Sequence, residues 1–413
     1  MKKLNVIYAG WGERFALGVL ADNGRDILFE YTPEALKRGL EVSPFKMPLS
    51  NQTFGGHPDH QLRLPGLISD SLPDGWGMLL MDRLFRKRGI DPRQVSPLDR
   101  LGYIGENAMG ALAFEPCYAD ALTTEDLHLL ELTKDVRHVF DEDESEAVLL
   151  KLVLMGGSPH GVRPKVLVNF DKNTNLVSTQ DSGRGTPMLV KFPAQYEHKE
   201  SCSIEAFYCR LAQACGVSVP ACHYFDLDNE IAAFGIERFD RVNGLRVPMH
   251  TAAGAAHVDF RHPQLDYTSL LRLTRLMTKD MREVLRAFER CVFNVAFNNR
   301  DDHSKNFSFL MSKEGRWVFS PAYDLTYSVG PNGEHQMDIC GEASLPARKH
   351  LMELAEKTGI KKHVAAESID RIAEVSKLLR EFVGELPIRE QTLELIDKAV
   401  AANRERLLQK TAS

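Results

Sequence analysis

The stretch Asn299-Arg300-Asp301-Asp302-His303-Ser304-Lys305-Asn306, followed by Phe319-Ser320-Pro321-Ala322-Tyr323-Asp324, decides the reading of this chain. It sets an aspartate, an asparagine five residues later, and a second aspartate beyond a predicted β-hairpin. The hairpin is read from Asn306 to Met311, a turn at Lys313-Glu314-Gly315, and Trp317 to Phe319. A hydroxyl attacking a phosphate needs a carboxylate within hydrogen-bond reach, and an amide oxygen and a second carboxylate are suitable hard ligands for Mg²⁺. A short hairpin brings the two metal-facing oxygens together rigidly. The order of parts is that of a kinase-type phosphoryl-transfer centre, with Asp301 as base and Asn306 and Asp324 toward metal.

Each residue of the stretch also has a plainer reading. A D-x-x-x-x-N spacing occurs by chance in any long chain, and the polar run reads equally as a surface turn; the apolar hairpin behind it favours the functional reading. Asp302 is the competing carboxylate, and the spacing to Asn306 favours Asp301. His303 reads as a hydrogen-bonding group of the loop or as a direct participant. Lys305 either reaches a phosphate or is solvated.

Upstream, Gly156-Gly157-Ser158-Pro159-His160-Gly161-Val162-Arg163-Pro164-Lys165 lies where a phosphate loop is expected. Glycines permit close backbone approach, so exposed N–H groups can cradle oxygens. The same Gly-Gly-Ser run also terminates an ordinary helix, and it matches neither the P-loop pattern nor GxGxxG. Lys191 sits inside the apolar run Met188-Leu189-Val190-Lys191-Phe192. A lysine there calls for an anionic partner, which the α- and β-phosphates of ATP would supply, with Glu205 on the next helix as its ion-pair partner. The alternative is an edge-strand lysine facing water.

Composition narrows the class. At 413 residues the chain exceeds one ordinary domain, and 43% hydrophobic content is ample for more than one core. A formal net charge of −6 argues against tight, autonomous nucleic-acid binding. The seven cysteines are scattered without a CxxC pair, so neither a disulfide framework nor a zinc site is indicated and a reducing compartment fits. No run approaches the length of a spanning helix, and the start Met1-Lys2-Lys3 leads into strand-like material, so a cytoplasmic protein without membrane contact is expected.

Along the chain, Arg14 to Ala21 and Asp26 to Tyr31 predict strands joined at Asp22-Asn23-Gly24. Asp74 predicts the cap of a helix running to Arg88, whose Arg83, Arg86, Lys87 and Arg88 read as a dipole-compensating cluster rather than a binding patch. The acidic run Asp141 to Glu146 marks a boundary. A helix follows from Glu146, then strands at Lys165 to Phe170 and Met188 to Phe192, with Asp171 to Thr186 between them as a polar loop. Helical spacing from Ile204 to Cys215 closes at Gly216, strands follow near Cys222–Asp226 and Ile231–Arg238, and Asp280 caps a helix reaching Phe297. From about Ala347 to Leu408 the pattern is of amphipathic helices.

With these residues assembled, the chain resembles the HipA family of bacterial serine/threonine kinase toxins. The likeness rests on Leu72-Pro73-Asp74-Gly75-Trp76-Gly77, on Leu98-Asp99-Arg100-Leu101-Gly102-Tyr103-Ile104-Gly105 and Gly110-Ala111-Leu112 in the front part, and on Gly157-Ser158 to Lys165, Leu189-Val190-Lys191-Phe192-Pro193, Glu237-Arg238-Phe239-Asp240-Arg241, Asp301 to Phe307 and Ala322-Tyr323-Asp324. The resemblance implies a two-lobed α+β fold, protein-kinase-like, with an N-terminal subdomain over 1–140, a kinase N-lobe over 141–245 and a helical C-lobe over 246–413. It implies ATP and Mg²⁺, with Asp301 as base and Asn306 and Asp324 facing metal. ATP would lie against His160, Gly161, Val162, Arg163, Pro164 and Lys165, against Lys191, and against the hinge Glu237, Arg238 and Phe239. His303, Ser304, Lys305 and Tyr323 would complete that surface. In the family the serine at the Ser158 position is a self-phosphorylation site that silences the kinase; Pro159 and Pro164 here stiffen a loop that would have to move.

The same resemblance implies a small DNA-binding antitoxin of the HipB type as partner, DNA contact only through it, and a protein substrate such as an aminoacyl-tRNA synthetase. Two other classes remain open at this stage. One is a small-molecule or lipid kinase, since Asp301-x-His303-x-x-Asn306 also looks like phosphoinositide kinases. The other is an inactive kinase fold acting as a partner in transcriptional autorepression.

Overall fold

In β1 (Lys2–Tyr8) Leu4 and Val6 are buried while Lys3 and Asn5 face solvent, the two-residue period of a strand with one wet face. β2 (Phe15–Asp22) pairs with it antiparallel and turns into β3 (Ile27–Tyr31). At that turn Gly24 takes φ +86° and Asn23 Oδ1 accepts from the backbone N–H groups of Arg25 and Asp26, the asparagine–glycine chemistry the sequence predicts. β4 (Leu112–Glu115) returns to β1 with Phe114 opposite Val6, which gives the order β3-β2-β1-β4. The computed structural model describes residues 1–118, 126–140, 144–156, 159–178 and 185–409.

Between β3 and β4 lie α1 (Pro33–Arg38), α2 (Gly66–Ser69), α3 (Gly75–Lys87) and α4 (Pro97–Ile104). α3 buries Trp76, Leu80, Met81, Leu84 and Phe85. Asp74 stands at its N-cap position but makes no side-chain capping bond, contrary to the expectation from sequence. The capping box occurs instead on α4, where Ser96 and Asp99 satisfy each other's backbone N–H groups. In the cationic end of α3, Arg88 pairs with Glu146 and Arg83 with the buried Glu144.

A second sheet follows, with β5 (Asp126–His128), β6 (Lys165–Asp171), β7 (Leu176–Ser178), β8 (Thr186–Lys191), β9 (Cys222–Asp226) and β10 (Ala232–Glu237) in the order β5-β7-β6-β8-β10-β9. α5 (Leu129–Phe140) and α6 (Glu146–Gly156) precede β6. Part of the predicted polar loop between Asp171 and Thr186 is thus strand: β7 pairs antiparallel with both β6 and β5, because Leu176 and Val177 supply apolar side chains within an otherwise polar run.

Packing divides the chain into two units. One comprises 1–199 with 225–250 and 310–315; the other comprises 200–224 with 251–309 and 316–413. Two buried polar clusters hold the first. His250, fully buried, bridges Asp70 at 2.7 Å and Ser43 at 3.2 Å. That is the bond order of a serine hydrolase triad, but enclosure of Ser43 and His250 makes it a structural tie. Asp240, also without solvent exposure, accepts from Arg238, Arg241 and the backbone N–H of Gly110. β11 (Arg241–Val242) and β12 (Leu245–Arg246) form the hairpin beyond it.

The second unit is mostly helical. It contains α7 (Glu200–Ala214), α8 (Ala252–Ala256), α9 (Tyr267–Thr278), α10 (Met281–Ala296), α11 (Arg348–Thr358), α12 (Lys362–Val375) and α13 (Glu390–Leu408). α10 packs on α9, α12 and α13 and buries Ala287, Phe288, Cys291, Val292, Phe293, Val295 and Ala296. Tyr208 of α7 donates its hydroxyl to the carbonyl of Phe297, fixing the end of α10. A further three-stranded sheet, not confined to this unit, has the order β13 (Met249–Thr251), β14 (Ser308–Met311), β15 (Trp317–Phe319), with β14 and β15 as the hairpin read from the sequence. No helix among the described residues is long and apolar enough to cross a membrane.

Burial alone would raise the Asp240 carboxyl pKa, but the charges of Arg238 and Arg241 overrule it and hold it well below the usual carboxylate range. The stabilisation this linkage provides is complete above the ordinary carboxylate pKa of about 4 and fades as pH falls below it. Asp240→Asn should therefore cost about 3–5 kcal/mol at neutral pH, read from denaturant unfolding, and the difference from wild type should shrink under acid.

Candidate active site

The end of α10 builds the central loop. Asn298 adopts φ +54°, a conformation asparagine tolerates better than most residues, and turns the chain out of the helix. Asn299 then returns to the helix, its backbone N–H donating to the Asn294 carbonyl and its amide to Asn294 Oδ1. Asn294 Nδ2 donates to the Tyr267 hydroxyl, and that hydroxyl donates to Asp302 Oδ2 at 2.8 Å. His335 Nδ1 meets the same oxygen at 2.8 Å, and the backbone N–H of Gln336 donates to Asp302 Oδ1. Burial and the Asp302 charge push the Tyr267 phenol pKa well up, keeping it protonated as a donor.

Two adjacent aspartates consequently differ in kind. The Asp302 side chain is 0% exposed, whereas that of Asp301 is 42% exposed. Asp301 Oδ1 accepts from Gln336 Nε2 at 2.8 Å, and His303 Nε2 stands 3.8 Å from the same oxygen. The His303 ring packs near Phe260, and Lys305 Nζ lies 4.4 Å from the centre of that aromatic ring. Ser304 and Asn306 are buried in a single 3₁₀ turn.

Asn306 and the segment before Asp324 are brought together by a residue not singled out in the sequence. Arg290, buried on α10, donates from one guanidinium nitrogen to the carbonyl of Tyr323 at 2.7 Å and to that of Asn306 at 3.4 Å. Burial pushes its pKa down to about 10, which still leaves it charged near neutrality. The Tyr323 hydroxyl donates to the Lys305 carbonyl at 2.7 Å, a second tie between the two loops. Asn306 Nδ2 donates to the Asp301 carbonyl, so its amide presents Oδ1 as the acceptor end. Asp324 follows with φ +55°. An amide oxygen and a carboxylate are both hard donors, a set that suits Mg²⁺ with phosphate oxygens and water completing the shell. Among the described residues there is no group of three or more His, Cys, Asp or Glu that would form an all-protein cage.

The other predicted residues lie in the first unit, except Glu205, which is buried on α7 in the second. β8 is flanked by β6 and β10, so Lys191 is not an edge residue; it is 6% exposed, and the reading as a solvated edge lysine fails. In the β6–β8 register Lys191 stands directly opposite Lys165, also buried. Like charges in that position repel unless an anion or acceptor lies between them. Lys165 Nζ donates to the His160 carbonyl, and Lys191 Nζ lies 5.8 Å from the centre of the Phe234 ring. Gly161 takes φ +108° and Val162 is exposed, while Arg163 pairs with Glu197 and the Pro164 carbonyl accepts from Phe192 N–H. Glu237 ends β10, Arg238 turns its guanidinium to Asp240, and Phe239 is half-buried. Gly157 and Ser158 lie outside the described residues.

The sequence matches the HipA-like C-terminal domain over residues 157–379 and the HipA N-terminal domain over 9–115. The chain belongs to the HipA family. Its fold is the α+β, protein-kinase-like fold of that family: the HipA of Shewanella oneidensis, solved with HipB and its operator DNA, superposes with a TM-score of 0.73 at 20% identity over 98% of this chain and 97% of that one. Two Sinorhizobium fredii proteins provisionally named kinases are also similar. Y4dM is 24% identical over 65% of this chain, and Y4mE 29% over 35%. The chain spans 64% of the length of the first and 35% of the second.

Within this HipA-family site, Arg290 and Asn294 carried a legible signal, since both are polar positions inside the apolar stripe of α10. His335 and Gln336 carried none. In denaturant unfolding, Asp301→Ala should leave stability within about 0.5 kcal/mol, whereas Asp302→Ala should cost about 3 kcal/mol or more. Equal losses would contradict the assignment of Asp302 as the buried anchor.

Proposed function

We propose that this HipA-family chain is an ATP-dependent protein serine/threonine kinase, the toxin of a toxin–antitoxin module. The observation that carries the reading is the grouping of Asp301, Asn306 and Tyr323-Asp324 around Arg290, with Asp301 the one exposed carboxylate of its pair.

In this reading Asp301 accepts the proton of the substrate hydroxyl as it attacks, and Gln336 holds the receiving carboxylate in place through Oδ1. Asn306 Oδ1 and the Asp324 carboxylate would hold Mg²⁺, which when bound offsets charge on the transferring phosphoryl group. Lys165 and Lys191 bind the phosphates, and Glu205 pairs with Lys191. The backbone of His160, Gly161, Val162, Arg163 and Pro164 borders the phosphates, and Glu237, Arg238 and Phe239 border the adenine. His303, Ser304, Lys305 and Tyr323 complete the ATP surface. Ser158 is the self-phosphorylation site. The domain division at 1–140, 141–245 and 246–413 belongs to the same reading.

The partner in this reading is a HipB-like antitoxin, as HipB accompanies HipA in the Shewanella complex, and DNA is reached only through it. The substrate is a translation component such as an aminoacyl-tRNA synthetase, in the cytoplasm. The test is intact mass before and after incubation with ATP–Mg²⁺, followed by mapping of the modified residue. Wild type should gain a phosphate on Ser158, and Asp301→Asn should slow transfer by about 10²–10⁴-fold while keeping ATP affinity. Undiminished transfer by Asp301→Asn would remove Asp301 as the base.

A further inference from the structure

The front segment Leu72 to Gly77 makes a contact that no site residue above explains. Asp74 occupies the N-cap position of α3, where its carboxylate would ordinarily accept from the first turn of its own helix. It does not; its Oδ1 accepts from the backbone N–H of Gly161 instead. The Gly161 carbonyl in turn accepts from Trp76 N–H at 3.1 Å, so this one glycine is held at both its donor and its acceptor. The fit is close: a Cβ on Gly75 would come within 2.6 Å of the Gly161 carbonyl oxygen. α3 also packs on α6, and a Cβ on Gly156 would meet Leu80 at 3.8 Å, so the same helix lies against the end of α6. Farther along, Lys165 reaches back to the His160 carbonyl and Arg163 is anchored to Glu197.

A helix that gives up its own cap to bind a loop amide has exchanged local stability for loop position. We propose that Asp74 is a positioning residue for the nucleotide: by fixing Gly161 it holds the loop over 160–165 where its backbone borders the phosphates. This rests on the ATP reading above. The carboxylate sets which conformation of the loop is populated, and ATP affinity falls by the fraction of molecules in which the loop is out of place.

Three variants of the full chain separate this from a structural role. Asp74→Ser supplies a good N-cap but is too short to reach Gly161, so thermal stability should hold or rise while ATP–Mg²⁺ affinity, measured by calorimetric titration, falls about tenfold or more. Asp74→Asn keeps the acceptor oxygen and should restore most of that affinity. Amide hydrogen exchange at Gly161 should accelerate in Asp74→Ser and not in Asp74→Asn, with or without nucleotide. Asp74→Gly, neutral as a cap, stands in for Asp74→Ser should that variant fail to fold. Wild-type affinity in Asp74→Ser or Asp74→Gly, or unchanged Gly161 exchange, overturns the proposal. Wild type that binds no ATP–Mg²⁺ overturns the kinase reading instead, and the exchange measurement still decides whether Asp74 holds the loop.

Discussion

A carboxylate without solvent must have its oxygens filled by donors, and Asp302 meets that demand with three groups from distant parts of its unit: the Tyr267 hydroxyl, the His335 ring and the Gln336 backbone N–H. Its anchoring fixes the chain on either side. With Asp302 held inward, the neighbouring Asp301 is left partly exposed, steadied at one oxygen by Gln336. The buried aspartate is therefore the condition for the accessible one. The connection to Asn294 and Asn299 carries the same constraint back to α10, so the loop inherits the rigidity of the helix before it.

Arg290 performs a related task with the opposite charge. Burial removes its guanidinium from water, which lowers its pKa and is costly unless acceptors replace the lost hydration. What it achieves is geometric: one nitrogen accepted by two carbonyls joins the Asn306 turn to the Tyr323-Asp324 segment. The left-handed conformations of Asn298 and Asp324 on either side are uncommon for residues with side chains, and over-determined loops are where such conformations persist.

In the other unit the comparable feature is the opposition of Lys165 and Lys191 across β6 and β8. Both side chains are buried, so the register sets two cationic groups side by side inside the sheet. The contact of Asp74 and Trp76 with Gly161 lies at the other end of the same loop. Front segment, loop and lysine pair thus form one connected structure within the unit.

Much of this was open to reading from the chain alone. Alternating burial and the Asn23-Gly24 turn specify the first hairpin, and the apolar stripe of α10 and the β14–β15 hairpin frame the motif Asp301 to Asp324. These are local: period and turn chemistry act over a few residues, so the sequence carries them openly. Which of two adjacent aspartates is buried, that Asp74 serves a loop rather than its own helix, that β7 joins the sheet, and that Lys191 faces Lys165 were decided by tertiary structure. Each depends on a partner far away in sequence, and no periodicity encodes the identity of a donor that arrives only when the chain has folded.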